Sequence, residues 1–337
     1  MGSHRRTAPS SGPERSTALA LGLLSAAATA LGAVPATAAP QEDTRAEVDR
    51  LYREAEKATE AYNAADERAD ALRREIADAQ DGIARKQQRV NTMREALGSL
   101  AGSQYRSGGL DPALALLLSE DPEDYLRSAS VLDRIGVHQT AELKKLRGTL
   151  RSLSQDRAEA AQRLGALERS RKAAATHKRT VERKLAEARR LLGSLPAGER
   201  AAWDRASRSG RTDLLGPGGA PASGRAAAAV AAVRSALGKP YVWGANGPSG
   251  FDCSGLTQWA YGQAGVALPR TSQAQRYAGR QVPLSEARPG DLVLYRSDAS
   301  HVAMYMGNGQ VIHAPYPGAP VRYDPVGMMP VSSVTRV

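Results

Sequence analysis

Gly250-Phe251-Asp252-Cys253-Ser254-Gly255-Leu256 is the stretch on which the fold of this 337-residue chain turns. Asp252 is a good helix N-cap, so the sequence predicts a helix that starts at Cys253 and runs to about Gln263. Leu256, Trp259 and Ala260 form its buried face, and Gly265 lies past its end. Cys253 is the only cysteine in the chain, so it has no internal disulfide partner. Unpaired N–H groups and the dipole at a helix start favour a thiolate and lower its pKa. A free cysteine is otherwise most often a small buried hydrophobe, and helix position alone does not choose between the two.

The histidines shift that balance. The chain has five, and two of them, His301 and His313, lie close together in strand-like sequence. Asp291–Tyr295, His301–Met306 and Gln310–Ala314 read as three successive strands, with Gly307-Asn308-Gly309 as a turn. A three-residue loop would set Ala303 opposite His313 and put both histidines on one sheet face; a two-residue Asn308-Gly309 loop would put them on opposite faces. In the first case the three residues make a relay. Cys253 attacks a carbonyl carbon, His301 takes and returns the proton, and His313 orients the His301 ring. The N–H groups at the helix start and the Tyr241 hydroxyl are the candidate donors to an oxyanion. Zinc fits less well, because one Cys and two His leave a fourth ligand unassigned. No metal and no cofactor is expected.

Working upstream, residues 194–225 are rich in Gly, Pro and Ser and read as a linker. Ala226 to Leu237 reads as an Ala-rich helix that opens the C-terminal domain. Residues 40–193 read as an all-α coiled-coil hairpin. One apolar seam runs Val48, Ala55, Tyr62, Ala69, Ile76, Ile83, Val90 and Leu97. The other runs Leu51, Ala58, Ala65, Leu72, Ala79, Met93 and Leu100, broken only by Lys86. Ser107-Gly108-Gly109 and Pro112 end the first helix, a Leu-rich insert follows, and a second helix is predicted from about Pro122 to Leu192. Two such helices most simply fold back as an antiparallel hairpin with arms of roughly 90 Å; the seam itself also allows a parallel dimer.

Residues 1–39 read as a signal peptide. Arg5, Arg6 and Arg15 form a basic region, Ala18 to Val34 an apolar stretch, and Ala36-Thr37-Ala38 a small-residue cleavage site. After cleavage no stable membrane span is expected, and the protein is expected to be secreted to the cell wall. The net charge of +11, with 4% aromatics, suits an anionic polymer. The basic residues are mixed with acidic ones and match no nucleic-acid motif, so no nucleic-acid partner is expected.

The motifs of the C-terminal segment, taken together, carry a resemblance. Tyr241-Val242-Trp243-Gly244, Phe251-Asp252-Cys253-Ser254-Gly255-Leu256, Leu268-Pro269-Arg270-Thr271-Ser272, Pro289-Gly290-Asp291-Leu292-Val293, His301 to Gly307 and Ile312-His313-Ala314 closely resemble, in order, the NlpC/P60 family over residues 226–337. The resemblance implies an α+β, papain-like domain in which a helix-start Cys packs on an antiparallel sheet. It implies a thiol peptidase with a Cys253, His301 and His313 triad, with Tyr241 at the oxyanion site and Asp252 and Ser254 lining the substrate groove. It implies peptidoglycan stem peptides as substrate, cut between D-glutamate and diaminopimelate. Two other readings stay open. The coiled coil belongs to an interaction or regulatory protein of the wall or division machinery, with a protein partner and little hydrolase activity; or the same fold runs an amidase or acyl transfer reaction. An arm of this length can also reach back across the groove and restrain the enzyme.

Overall fold

The computed structural model describes residues 39–106, 114, 122–208 and 219–337. The signal-peptide reading, the Leu-rich insert and the Gly/Pro core of the linker reading lie outside the described residues, apart from Leu114 and Gly219 onward. No helix among the described residues is long and apolar enough to cross a membrane.

Helix α1 (Ala39–Arg106) and helix α2 (Pro122–Ser194) form an antiparallel hairpin. Partners on α2 run backwards along α1: Glu54 pairs with Lys184, Glu75 with Arg163 and Lys86 with Asp156. The seam is driven by burial of Val48, Leu51, Ala55 and Ala58 against Val181, Leu185 and Ala188. Lys86, the one break in the predicted seam, has a cross-hairpin role: its Nζ donates to Ser152 Oγ at 2.7 Å and pairs with Asp156 at 2.6 Å. On α2, Leu143 and Leu164 are exposed, while Val181, Leu185 and Ala188 are buried. A further helix, α3 (Ala197–Arg208), stands inside the stretch read as linker. Its AGERAAWDRASR sequence favours helix, and the Gly/Pro run begins only at Gly210.

The C-terminal part is one six-stranded antiparallel sheet covered by two helices. Helices α4 (Gly224–Ser235) and α5 (Cys253–Gln263) pack on one face, and a single turn, α6 (Ser272–Gln275), follows α5. The strands are β1 (Arg280–Val282), β2 (Leu292–Tyr295), β3 (His301–Gly307), β4 (Gln310–His313), β5 (Arg322–Pro325) and β6 (Val331–Arg336). Their order across the sheet is β1-β6-β2-β3-β4-β5. Side chains alternate along each strand. Leu292, Leu294, Val302, Met304 and Ile312 join the core beneath the helices, while Val293, Tyr295, Ala303 and Val311 form a second core on the opposite face.

The β3–β4 turn combines both loop lengths weighed from sequence. Gly307 pairs with Gln310, so the turn itself holds two residues, Asn308 and Gly309. A register shift between Tyr305 and Gly307 then restores the pairs Tyr305–Val311 and Met304–Ile312. Continuing those pairs sets Ala303 opposite His313. The extra residue in the bulge is what keeps His301 and His313 on one face.

Candidate active site

Helix α5 positions the thiol. Asp252 caps it, accepting the Gly255 N–H at 2.7 Å, and Cys253 is the first helical residue, buried to 1% exposure. The cap admits only glycine at position 255, because a Cβ there would meet the Ala245 carbonyl oxygen at 2.2 Å. Asp252 is fully engaged: it also accepts the Gly244 N–H at 3.0 Å and pairs with Arg270 at 2.6 Å. It lies under the helix start and faces the Arg270 guanidinium. Ser254 Oγ accepts from the same Arg270 at 3.0 Å and donates its hydroxyl to a carboxylate described below.

The two histidines meet in sequence order. His301 Nε2 lies 2.7 Å from His313 Nδ1, with the rings edge to face. His313 Nε2 lies 2.7 Å from Asp324 Oδ2 on β5, and the Arg322 Nε–H donates to that same oxygen at 2.8 Å. Burial drives the His313 pKa down to about 4 against the pull of Asp324, so the ring is neutral at neutral pH. Burial acts to raise the Asp324 carboxyl, but His313 and Arg322 hold it below its usual range. A carboxylate only accepts, so His313 donates Nε2–H to Asp324 and accepts at Nδ1 the Nε2–H of His301. That leaves Nδ1 as the other nitrogen of the His301 ring.

Nδ1 of His301 is not free. It makes a short ion-pair contact with Glu56 of α1, whose other oxygen accepts from Arg296. Arg296 holds left-handed backbone (φ 65°) at the end of β2 and also reaches Ser300 at 3.1 Å. Four residues on, Glu60 enters the same site. Its Oε1 accepts from Ser254 Oγ at 2.7 Å and lies 3.7 Å from Cys253 Sγ, and its Oε2 accepts the Ser272 N–H at 2.7 Å. Asn63 donates to Asp252 at 3.1 Å. Glu56, Thr59, Glu60 and Asn63 are all buried, with Glu60 at 2% exposure.

This company reverses the expected effect of the helix start on the thiol. Burial first, then the charges of Glu60, Glu56 and Asp252, push the Cys253 thiol well above its ordinary value. Glu60 is itself pushed up to about 7, by burial and then by Asp252. Glu56 is held low, because His301 and Arg296 outweigh its burial. Tyr241 is buried beside the thiol, and burial followed by the Cys253 charge pushes its phenol well above the usual range, so its hydroxyl stays a neutral donor.

Among the described residues, Glu56, Cys253 and His301 bring three ligand-type atoms within 4.8 Å of one another. The Arg296 guanidinium on the same Glu56 carboxylate makes this an ion-pair cluster rather than a cation cage. An open cleft of about 640 Å³ approaches from the β5 side, lined by Tyr52, Glu56, Arg296, His313, Tyr316 and Asp324. It stops at Glu56, and neither Cys253 nor His301 lines it.

Tyr241, Asp252, Cys253, Ser254, His301 and His313 are thus gathered at one place. Sequence reasoning missed Glu56, Glu60, Asn63, Arg296 and Asp324. Asp324 carries an alternation signal, standing on a strand two residues after Arg322. Glu56 and Glu60 sit outside both apolar seams of α1, where a heptad reading expects solvated charge.

Comparison with known proteins places this arrangement. Residues 238–334 match the NlpC/P60 family. A probable endopeptidase of Corynebacterium glutamicum is 48% identical over 117 residues, covering 35% of this chain and 56% of that protein. One from Mycobacterium tuberculosis is 45% identical over 119 residues, covering 33% and 31%. The probable endopeptidase p60 of Listeria monocytogenes is 50% identical over 97 residues, covering 28% and 20%. The chain spans about half or less of the length of these curated relatives. Among solved structures, the peptidoglycan hydrolase RipB of Mycobacterium tuberculosis is 35% identical, covering 33% of this chain and 64% of that one, with a TM-score of 0.32. With a capped helix-start cysteine packed on an antiparallel sheet, residues 238–334 are an NlpC/P60 domain, set behind a long helical hairpin.

Proposed function

We propose that this chain is a secreted peptidoglycan endopeptidase in which Cys253 is the nucleophile, His301 the general base and acid, and His313 the residue that orients His301. The observation that carries this is the hydrogen-bonded line His301–His313–Asp324, with a His301 ring nitrogen within 4.8 Å of a helix-start thiol in an NlpC/P60 domain. Cys253 passes its proton to Nδ1 of His301 and its sulfur attacks the scissile carbonyl carbon. The oxyanion is held by N–H groups at the start of α5 and by the Tyr241 hydroxyl. Collapse breaks the C–N bond as His301 protonates the leaving amine. Water, deprotonated by His301, then hydrolyses the thioester and restores the thiol.

What the site already holds supports the proposed substrate class. Ser254 Oγ–H and the Ser272 N–H grip a carboxylate, that of Glu60, beside the thiol. A stem peptide rich in carboxylates suits the same donors, and the D-glutamyl–diaminopimelate bond is the proposed target. Asp252 supports this groove through Arg270 and the helix cap. Residues 1–39 are proposed to direct export, and the α1–α2 hairpin, read as a coiled coil, is a place for a protein partner.

Digestion of purified peptidoglycan with mass analysis of the fragments tests this. The full chain and its Glu56→Lys/Glu60→Lys variant, which strips both carboxylates from the site, are compared with Cys253→Ala. New N-terminal diaminopimelate ends, absent with Cys253→Ala, are expected. No new termini from either active chain would refute the proposal.

A further inference from the structure

We infer that α1 is an intramolecular inhibitor of this domain, with Glu56 holding the base and Glu60 the nucleophile. This rests on the reading of Cys253 and His301 as the reacting pair.

The argument begins with the base. An imidazole has two nitrogens, and His301 spends Nε2 on His313. The remaining one, Nδ1, is spent on Glu56. No nitrogen is left to take the Cys253 proton. The nucleophile is covered in the same way. Glu60 sits 3.7 Å from its sulfur, in the place a carbonyl would have to enter, and Cys253 and His301 are 1% and 0% exposed. The negative charge of Glu60 and Glu56 also opposes the thiolate.

The design of α1 points the same way. Its apolar seam already packs on α2, so nothing about a hairpin requires its other face to be buried. Yet Glu56, Thr59, Glu60 and Asn63 on that face are 6%, 2%, 2% and 2% exposed. Burying carboxylates is costly unless each is paired. Here Glu56 is ion-paired and Glu60 hydrogen-bonded, and the partners beyond α1 belong to the catalytic site: His301, Arg296, Ser254 and the Ser272 N–H. Two ring contacts flank the plug, Tyr52 stacked on Tyr316 at 4.9 Å and Tyr62 edge-on to Trp243 at 5.4 Å. Because α1 keeps its own partner in α2, it can leave the site as a formed helix. Activity then requires an event that lifts this face of α1 away.

The test uses the full chain and two readings. Cys253 is the only thiol, so alkylation by iodoacetamide gives a single mass shift. Glu56→Lys/Glu60→Lys sets two cations against Arg296, Arg270 and His301 and unseats α1. The variant is expected to alkylate at least about tenfold faster than wild type, with unchanged helical circular dichroism, and to release more stem-peptide fragments. Should the lysines unfold the chain, Glu56→Ala/Glu60→Ala serves, since Ala is the strongest helix former. Faster alkylation without any hydrolysis supports the inhibitor and removes the peptidase reading. Equal alkylation of wild type and folded variant overturns the inhibitor, whatever the hydrolysis.

Discussion

Asp324 stands directly behind His313, its Oδ2 2.7 Å from Nε2 and on the far side of the ring from His301. The line of hydrogen bonds from His301 therefore runs through the His313 ring to a carboxylate, itself fixed by Arg322. Asp324 fixes which His313 nitrogen is protonated, and hence which nitrogen of His301 faces His313 and which faces Glu56. In the Glu56→Lys/Glu60→Lys background, Asp324→Ala is expected to lower kcat by about ten- to a hundredfold with KM little changed. Asp324→Asn, which keeps an acceptor, should fall in between. An unchanged kcat in steady-state assays would remove Asp324 from the relay.

The grip of α1 should depend on pH, with a definite sign. The Glu60 carboxyl is pushed from 4.5 up to about 7 when docked. Its contribution to docking is full below about 4.5 and is lost as pH rises through about 7. The groups that face it are Asp252 and Arg270, with Cys253, Ser254 and the Ser272 N–H. Glu56, held low, acts oppositely: its contribution is present above 4.5 and fades as pH falls below its depressed value. Between about pH 5 and about 7.5 the Glu60 effect governs. The ratio of wild-type to Glu60→Gln alkylation rates should rise across that interval. A flat ratio would count against Glu60 as the titrating group.

Tyr52 offers a milder way to loosen α1. It stacks on Tyr316 with rings inclined by 18°, beyond the charged pairs. An aromatic pair adds about 0.5–1.5 kcal/mol to simple burial, so Tyr52→Ala should speed alkylation by about two- to tenfold. Hydrogen exchange at α1 amides near residue 52 should rise with it, while a variant with wild-type alkylation would show that the stack carries none of the docking.

Gly255 and Gly262 lie on the same helix and should respond oppositely to alanine. At 255 a Cβ would meet the Ala245 carbonyl oxygen at 2.2 Å and Asn246 Cα at 2.9 Å, both backbone atoms. Gly255→Ala should cost more than about 2 kcal/mol and lower Tm, with loss of the Asp252 cap. At 262 nothing lies within 4 Å, and Gly262→Ala should be neutral or gain up to about 1 kcal/mol. Thermal unfolding of the two variants decides it.

Much of this was legible because it is local. Asp252 before Cys253 announces a helix start, and alternation in 301–313 announces two strands. What sequence left open was parity, because a bulge near Gly307 is a single residue that no pattern marks. Lys86 looked like a fault in the seam and is a cross-hairpin pair, because its partner Ser152 lies 66 residues away in sequence. Glu56 and Glu60 were illegible for a deeper reason. Charged residues off the seam of a long helix are normally in water, and only the tertiary placement of His301, Arg296 and Ser254 turns that face inward. The same carboxylates reverse the predicted lowering of the thiol pKa, which a helix start alone would have given.

Glu56 and Glu60 stand four residues apart on one continuous helix. A rotation of α1 that withdraws one withdraws the other, and His301 and Cys253 are uncovered in a single motion. The chain then has no half-armed state in which a reactive thiol is exposed without its histidine, or a histidine without its thiol. For a protein with one sulfur nucleophile, this makes α1 a guard against stray oxidation as much as against stray cutting.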